Sequence, residues 1–519
     1  MKAKAPRHIL CTRLALVLLA CLLLSAPISI LASSTTPVRG GVLKGMRVYF
    51  PTNLGYVPEW KPTDFISALP WAERLVYWDQ KGRFVPNLLD SWKIDPKTKT
   101  ITFFLRKGVR FHDGSAFDAE SLRQNLELNL KSGRILEGEF IKSIEVMDRY
   151  ALRLSLSELT SAAMLNYAFN VQIVSVPAIE KNGVDWARTN GIGTGPFKLL
   201  DFKRDTYIKY VRNDNYWRAG RPFLDGIELY FFPDPMTASL KMEAKEMDIW
   251  MDVGNVNIIL DLQRKGLKVN WGPGMLWALL PNSNKPRNPS SPLADKKVRE
   301  AIEYAIDRPA IAKALGFGQY EALTQIVPSF SPAYIPNFNP RPYDPGKAKK
   351  LLAEAGYPRG FEIKLLAQNT ARDAATAVQT YLEAVGVRTT VDLADESRYA
   401  AAVFSPEGWE DLVLAASGIH PSGTDLFQHW GPKPLTYRFG FIKKTPQYLA
   451  ACERALHTYD EQGLRRAMQE IVRKASEDAM VIPLFRSAQA VIMQPYVYTE
   501  YPKIHVIQWN VWEDWMERH

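Results

Sequence analysis

The sequence predicts an α/β fold built from more than one domain. Segments from about residue 295 to 415 alternate between helical and strand patterns in units too long to be hairpins, which indicates parallel strand pairing. One helical segment places Val298, Ala301, Ile302 and Ala305 on a single face, with the spacing of an amphipathic helix. The chain has 519 residues, 46% of them hydrophobic and 23% charged, so it is globular and too long for one ordinary core. We therefore expect two or three domains.

Recognisable residues mark where the predicted elements begin and end. A strand-rich meander is expected over residues 86–111, followed by a helix that begins after Asp118 and ends near residue 131. In the second half, Asp344 is the expected N-cap of a helix with Pro345 in its first turn and Gly356 just past its end. The elements predicted after it are a strand at 361–365, a helix at 371–385, a strand at 387–393, a short helix at 397–404, a strand at 411–415, a helix around 464–475, and strands at 481–485 and 488–492.

The loops that follow the three parallel strands are the first candidates for a binding site. Ligands of open α/β sheets bind outside the carboxyl ends of the parallel strands. The corresponding loops span residues 368–372, 394–397 and 416–421.

The first 32 residues have the layout of a signal peptide. Basic residues with no acidic one precede an apolar run from Leu14 to Leu24, then come Ser25, Pro27 and Ser29, and a small residue, Ala32, stands at the expected cleavage site. A membrane anchor would need about 20 apolar residues, and Pro27 interrupts this stretch. Cys21 weakly resembles a lipoprotein processing site, but leucines follow it where polar residues would be expected. We expect cleavage after Ala32 and a periplasmic or extracellular protein that is not lipid-anchored.

Charge and cysteine content exclude several classes of protein. Removal of the signal peptide would lower the formal net charge from +10 to +6, and the chain has no run of like charges that would bind nucleic acid. Cys452 would be the only cysteine left, so no intrachain disulfide can form and no thiolate cluster can bind zinc. We interpret Cys452 as a small core residue.

Several blocks of sequence, spread over nearly the whole mature chain, form a distinctive pattern. They are Arg39–Leu43, Pro86–Trp92 with Leu105–Gly114, Gly193–Phe197 with Arg212–Trp217, and Val298–Ala301 with Ala305–Arg308. In sequence and in order, these blocks resemble the extracellular solute-binding proteins of ABC importers that carry peptides and nickel, called family 5.

The resemblance implies a two-lobed clamp like that of periplasmic binding proteins of type II, cluster C, with an additional inserted domain. Lobe I would consist of residues 33–72, 194–283 and 489–519, the insert of 73–193, and lobe II of 284–488. Hinges are expected near 282–292 and 486–488, where polar and proline-rich sequence meets regular elements. The implied partners are the membrane permease subunits of an ABC transporter and its ATPase, and we expect a monomer with no cofactor and no nucleic-acid partner.

The family's peptide carriers place an acidic residue four positions before a proline in the loop after the third strand of lobe II, where it pairs with a peptide's ammonium. Here Pro421 marks that loop, and Ser417 occupies the acidic position. A hydroxyl does not replace a carboxylate beside a buried ammonium. Asp425 and Asp395 are the candidate substitutes.

Four further residues are candidate ligand contacts, and each also has a structural interpretation. His420 would ligate a metal only if the cargo were a nickel chelate; otherwise it is a loop histidine. Arg372, at a predicted helix start, suits a carboxylate but is also interpretable as a surface residue. Trp277 and Trp409 would either line the cleft or fill the core, and no resident metal is expected.

No catalytic motif accompanies these candidates. The pair His112 and Asp113 belongs to an Asp-Gly turn without a nucleophile, and Gly191–Gly195 lacks the spacing of a phosphate loop, so a turn packed against another backbone is expected there. The resulting hypothesis is capture of a peptide or peptide-like solute for import, without chemistry on it. The alternatives are the same machinery carrying a nickel chelate or an oligosaccharide, a secreted hydrolase, and a holdase-like chaperone.

Overall fold

The computed structural model describes residues 36–133, 135–284, 291–405, 408–418, 420–432 and 440–517. Residues from Val38 onward form one compact unit. The predicted signal peptide and its cleavage site after Ala32 lie outside the described residues.

The strands were assigned from backbone hydrogen bonding. In chain order they are β1 Val42–Arg47, β2 Glu73–Arg74, β3 Val76–Trp78, β4 Phe84–Pro86, β5 Leu89–Asp95, β6 Thr100–Leu105, β7 Ile141–Asp148, β8 Ala151–Leu156, β9 Gln172–Ile173, β10 Phe197–Lys203, β11 Tyr207–Arg212, β12 Gly226–Phe231, β13 Ile249–Val253, β14 Lys268–Pro281, β15 Glu321–Ala322, β16 Phe361–Gln368, β17 Val387–Ala394, β18 Leu412–Ser417, β19 Ile482–Met493, β20 Val497–Tyr498 and β21 Trp515–Met516.

The α-helices were assigned in the same way. They are α1 Pro62–Ala68, α2 Ala119–Leu130, α3 Val176–Asn182, α4 Val184–Thr189, α5 Pro235–Glu243, α6 Val256–Arg264, α7 Lys296–Ala305, α8 Arg308–Gly316, α9 Pro345–Glu354, α10 Arg372–Glu383, α11 Glu396–Val403, α12 Asp425–His429, α13 Pro446–Leu456 and α14 Glu461–Glu477. None of these described helices is both long and apolar enough to cross a membrane.

The largest sheet of the described chain is mixed and has eleven strands. Its order is β10-β11-β12-β1-β13-β19-β14-β18-β16-β17, and β15 pairs with β19. The predicted parallel arrangement is confirmed, because β16 lies between β17 and β18 and pairs in parallel with both. A separate four-stranded antiparallel sheet, β5-β6-β8-β7, contains the predicted meander.

Side chains of the parallel strands alternate between two cores, as the pleat of a strand requires. Leu412 and Leu414 of β18 belong to a buried cluster with Val378 of α10. Val413 of the same strand belongs to a different cluster, together with Tyr399 of α11. Helices therefore cover both faces of this part of the sheet, which explains why its strands read as continuous apolar runs.

The predicted helix caps are confirmed. The carboxylates of Asp118, Asp295 and Asp344 each accept a backbone hydrogen bond from the first turn of α2, α7 and α9. Cys452 is buried and unpaired with any other cysteine, and burial raises the pKa of its thiol to about 11, in agreement with a core role.

One predicted element was wrong. The two strands expected at 481–485 and 488–492 form one strand, β19, which pairs with β14 along most of its length. The pairing register shifts between Pro273 and Leu276 of β14. There the hydroxyl of Ser487 accepts from the Met275 amide at 3.0 Å, so a side chain takes over from the backbone ladder. Arg486 and Ser487 of β19 therefore lie opposite a bulge in β14, and they do not mark the end of a strand.

The imidazole of His112, from the apparent His-Asp pair, contacts the backbone of the glycine-rich stretch at 191–195. His112 Nε2 lies 3.0 Å from the Gly195 carbonyl oxygen, and its Nδ1 accepts from the Gly193 amide at 3.4 Å. A Cβ on Gly193 would lie 2.2 Å from the Trp71 carbonyl oxygen, so the glycine-rich stretch is the close-packed turn that the sequence predicts. Burial is the main cause that lowers the pKa of His112 to about 4.

Protonation of His112 is expected to destabilise the fold in acid. The unfolded chain takes up this proton near the ordinary histidine pKa of about 6.5, whereas the folded chain takes it up only near 4. Stability is therefore complete above about pH 6.5 and is lost progressively as the pH falls towards 4, by up to about 3 kcal/mol. In urea unfolding at pH 7.5 and 4.5, His112→Gln should lose this part of the pH dependence, and the exposed His457→Gln should keep it. Equal pH dependence in both variants would contradict the assignment.

Candidate functional site

A cavity of about 630 Å³ lies where β14 and β19 run side by side past the register shift. Its walls come from seven separate segments of the chain. The lining residues are Gln80, Lys81, Gly82, Trp271, Gly272, Pro273, Gln319, Phe330, Pro421, Arg486, Ala488, Lys503 and Ile504.

One wall is the loop of the β3–β4 hairpin, residues 79–83, here called the hairpin loop. Asp79 shapes it, because its carboxylate accepts from the backbone amides of Lys81 and Arg83 at 2.8 and 2.9 Å. Gly82 sits at φ +74°, a left-handed conformation that favours glycine. The hairpin loop is thus fixed by its own sequence before it meets the opposite wall.

The opposite wall is the loop between β18 and α12, here called the β18–α12 loop, of which residues 418 and 420–424 are described. It touches the hairpin loop so closely that a Cβ on Gly82 would lie 2.1 Å from the Pro421 carbonyl oxygen. The two loops therefore form a seam, here called the Gly82–Pro421 seam, that only a glycine permits.

An aromatic cluster lies next to this seam. The ring of Trp78 stacks on Phe169 at 3.7 Å between centroids and lies 5.3 Å from the His420 ring and 5.5 Å from that of His505. The rings of His420 and His505 are 5.7 Å apart. Arg74 covers the other part of Phe169, with its guanidinium carbon 4.4 Å from the ring centre. Residues separated by more than 400 positions thus meet at one point.

Two polar atoms in this cluster, Trp78 Nε1 and His420 Nδ1, are buried and have no hydrogen-bond partner among the described residues. Burial, followed by the basic groups of His505, His429 and Arg74, holds the pKa of His420 well below its ordinary value, so the imidazole is neutral. An unpaired buried donor or acceptor costs about 1–3 kcal/mol. A polar group of a bound molecule that reached both atoms would recover this cost.

Asp425, the first residue of α12, is also buried. Its carboxylate accepts backbone hydrogen bonds from Asp425 and His420, while Oδ1 has no partner. Burial raises its pKa to about 7. The carboxylate therefore braces the β18–α12 loop and keeps one oxygen available.

The structure brings together only some of the residues that the sequence suggested. Ser417, His420 and Asp425 lie within one loop region, with Ser417 buried at the end of β18 opposite Leu276. Trp277 stacks on Phe485 at 6.0 Å, one strand away from that loop.

The remaining suggested residues lie elsewhere. Trp409 is in a core, where its Nε1 donates to the Leu280 carbonyl and its ring meets Phe441 edge-on at 5.1 Å. Arg372 is exposed at the start of α10. Asp395 caps α11 by accepting from the Arg398 amide at 2.8 Å.

Sequence reasoning missed Arg74, Trp78, Gly82 and His505. The Asp-Gln-Lys-Gly sequence at 79–82 is typical of a turn, but it does not indicate which residues the turn contacts. Among the described residues, the only three potential metal ligands whose donor atoms lie within 4.8 Å of one another are Glu158, Glu453 and His457, away from His420.

Comparison with known proteins gives consistent results. The family model for bacterial extracellular solute-binding proteins, family 5 Middle, matches residues 83–427. The chain is 27% identical over 474 residues to the glutathione-binding protein GsiB of Salmonella paratyphi A, covering 86% of this chain and 90% of that protein.

Two solved structures show the same fold. DppA of Helicobacter pylori, a periplasmic binding protein associated with an ABC transporter and solved with the peptide STSA, is 22% identical with a TM-score of 0.77, covering 93% of this chain and 99% of that one. NikZ of Campylobacter jejuni, solved with Ni(L-His), is 19% identical with a TM-score of 0.77, covering 91% and 99%. The resemblance seen in the sequence and the clamp fold that it implies are confirmed, and the chain belongs to the bacterial extracellular solute-binding proteins of family 5.

Proposed function

We propose that this protein captures a peptide or peptide-like solute outside the cytoplasmic membrane and delivers it to the permease and ATPase subunits of an ABC importer. The observation that carries the proposal is the 630 Å³ cavity beside the Gly82–Pro421 seam, because loops and strands from distant parts of the chain meet around it. Family membership supports a solute-binding role in transport. The proposal includes export by the signal peptide, action as a monomer, and no chemistry on the solute.

In this proposal the hairpin loop belongs to the insert and the β18–α12 loop to lobe II. We start from the division with lobe I as 33–72, 194–283 and 489–519, the insert as 73–193, and lobe II as 284–488. The contacts favour one adjustment: the Asn282 amide donates to Asp411 within the second half, and Met275 bonds Ser487 at the register shift. The first crossing between lobes is therefore better placed at 273–276 than at 282–292.

Direct hydrogen bonds support a closed arrangement of the insert and lobe II. The Ser161 amide donates to the Leu456 carbonyl at 2.7 Å, and the Tyr459 hydroxyl donates to the Leu159 carbonyl at 2.7 Å. Together with the Gly82–Pro421 seam, these contacts join the insert to lobe II at more than one place. A bound solute that bridges the walls would stabilise this state over an open one.

Relatives support a peptide-like cargo, since GsiB is named for glutathione and DppA was solved with a peptide. NikZ, solved with Ni(L-His), keeps the nickel chelate as the second candidate, and the position of His420 in the seam favours it over an oligosaccharide. Thermal stabilisation by nickel with free histidine that is lost in His420→Ala would establish that alternative.

A free peptide N-terminus is expected to pair with Asp425. Wild-type protein should bind a tripeptide at least about tenfold more tightly than its N-acetylated form, because the ammonium would pair with the buried carboxylate. Asp425 must be ionised for this pairing and its pKa is about 7, so the preference should grow from about pH 5.5 to 7.5. Asp425→Asn should abolish the preference, and Asp395→Asn, which conserves a helix cap, should retain it. A preference that survives Asp425→Asn would exclude the role.

The experiment that tests the proposed function is native mass spectrometry of the mature protein purified from a rich-medium host. A retained series of peptide-like masses is the expected result. A nickel chelate or a sugar would replace the peptide proposal by the corresponding alternative.

A further inference from the structure

The charged residues that line the cavity all have the same sign. Lys81, Arg486 and Lys503 contribute to its walls, and none of the described lining residues is an aspartate or a glutamate. The remaining polar side chains of the lining are the neutral amides of Gln80 and Gln319. The walls therefore offer positive charge and amide hydrogen bonds to whatever occupies the space.

Neighbouring carboxylates neutralise only part of this charge. Arg486 pairs with Glu321 at 2.8 Å, and Lys503 pairs with Glu500 at 2.9 Å. Within the described part of the chain, no carboxylate lies at ion-pair distance from the Lys81 ammonium, whose own loop uses Asp79 to bind backbone amides and Arg83. At least one full positive charge at the mouth of the cavity is left without a counter-charge.

The aromatic cluster next to the Gly82–Pro421 seam also contributes positive charge. Arg74 is buried, and its guanidinium donates to the Ile507 carbonyl at 2.7 Å, a neutral acceptor. The groups that act on His420 are His505, His429 and Arg74, all of them basic. The acid of this region, Asp425, is turned to the backbone of the β18–α12 loop, as described above. Among the described residues, no carboxylate lies at ion-pair distance from the Arg74 guanidinium.

We infer that the cargo of this cleft carries a net negative charge, with an anionic group seated beside Lys81 of the hairpin loop. The inference rests on the proposed function and specifies the charge class of its solute. A cavity whose positive charge is only partly neutralised attracts anions and disfavours cations.

Four probes test the inference with the mature protein, freed of retained cargo by unfolding and refolding. The tripeptides Ala-Glu-Ala, Ala-Gln-Ala and Ala-Lys-Ala share length and termini and differ in one side-chain charge, and citrate carries negative charge without a peptide. Calorimetric titration should rank the affinities Glu, Gln, Lys, with at least about a tenfold gap between the first and last. The gap should narrow as salt is raised, since these charges are partly exposed.

A charge-removal variant locates the effect. Lys81→Gln should reduce the Glu-to-Lys gap by at least about threefold, and Lys350→Gln, an exposed lysine on α9 outside the cavity, should leave it unchanged. Equal affinities, or tighter binding of Ala-Lys-Ala, would overturn the inference while the proposed function stands. Binding of citrate without any tripeptide would support the inference and overturn the peptide proposal, and binding of none of the four would overturn both.

Discussion

Replacing Gly82 by alanine is expected to weaken binding of the retained cargo on the order of 100-fold, about 2.7 kcal/mol. The added Cβ would lie 2.1 Å from the Pro421 carbonyl oxygen, a backbone atom that cannot move aside as a side chain can. The seam would have to open, so the closed form that holds the cargo would be disfavoured. Calorimetric titration with the cargo identified by native mass spectrometry measures the loss.

Gly108→Ala is the matched control for this prediction. Gly108 has φ +80°, close to the +74° of Gly82, but a Cβ there would meet nothing within 4 Å. Both variants therefore carry the same backbone strain, and only Gly82→Ala carries the clash. If the two variants bound cargo equally well, the Gly82–Pro421 seam would not be part of the binding-competent state.

Glu303→Ala is expected to lower the free energy of unfolding by about 3–5 kcal/mol. Glu303 is a buried residue of α7 whose Oε2 accepts from Arg341 Nε at 2.5 Å and whose Oε1 lies 3.5 Å from Arg308 Nη2. Among the described residues, its removal leaves Glu300, 3.7 Å from Arg341, as the only carboxylate within 4 Å of either of the two buried guanidinium groups. Leaving a buried charge without a counter-charge is one of the few effects of a single substitution that lower the free energy of unfolding by this much.

Urea unfolding of Glu303→Ala and Glu354→Ala compares a buried with an exposed ion pair. Glu354 pairs with Lys297 at 3.4 Å on the surface, so its loss should change stability by less than about 1 kcal/mol. Similar losses in the two variants would show that burial does not set the strength of the Glu303 cluster.

Much of the fold was predictable because its signals are local. Asp344, Pro345 and Gly356 mark the two ends of α9. The alternation of apolar strands with amphipathic helices predicted that β16, β17 and β18 pair in parallel. The error at β19 has a local cause as well. Arg486 and Ser487 look like a strand end, and only the partner strand β14 shows that pairing continues through them.

The site was less predictable because its parts meet only in the folded chain. His420 and the β18–α12 loop could be anticipated from the topology of parallel strands, since such loops lie at the carboxyl edge of a sheet. Nothing near Trp78 in the sequence indicates that it lies 5.3 Å from His420, because the contact joins residues 342 positions apart. Trp409 shows the opposite case: an aromatic residue near a site loop proved to fill a core.

Small-angle X-ray scattering with and without cargo tests most directly whether this chain closes around a solute at the Gly82–Pro421 seam. The radius of gyration of wild-type protein is expected to fall when the retained cargo is added back, and Gly82→Ala is expected to show no such fall at the same cargo concentration. Superimposable scattering curves for wild-type protein in the two states, at saturating cargo, would contradict this closure.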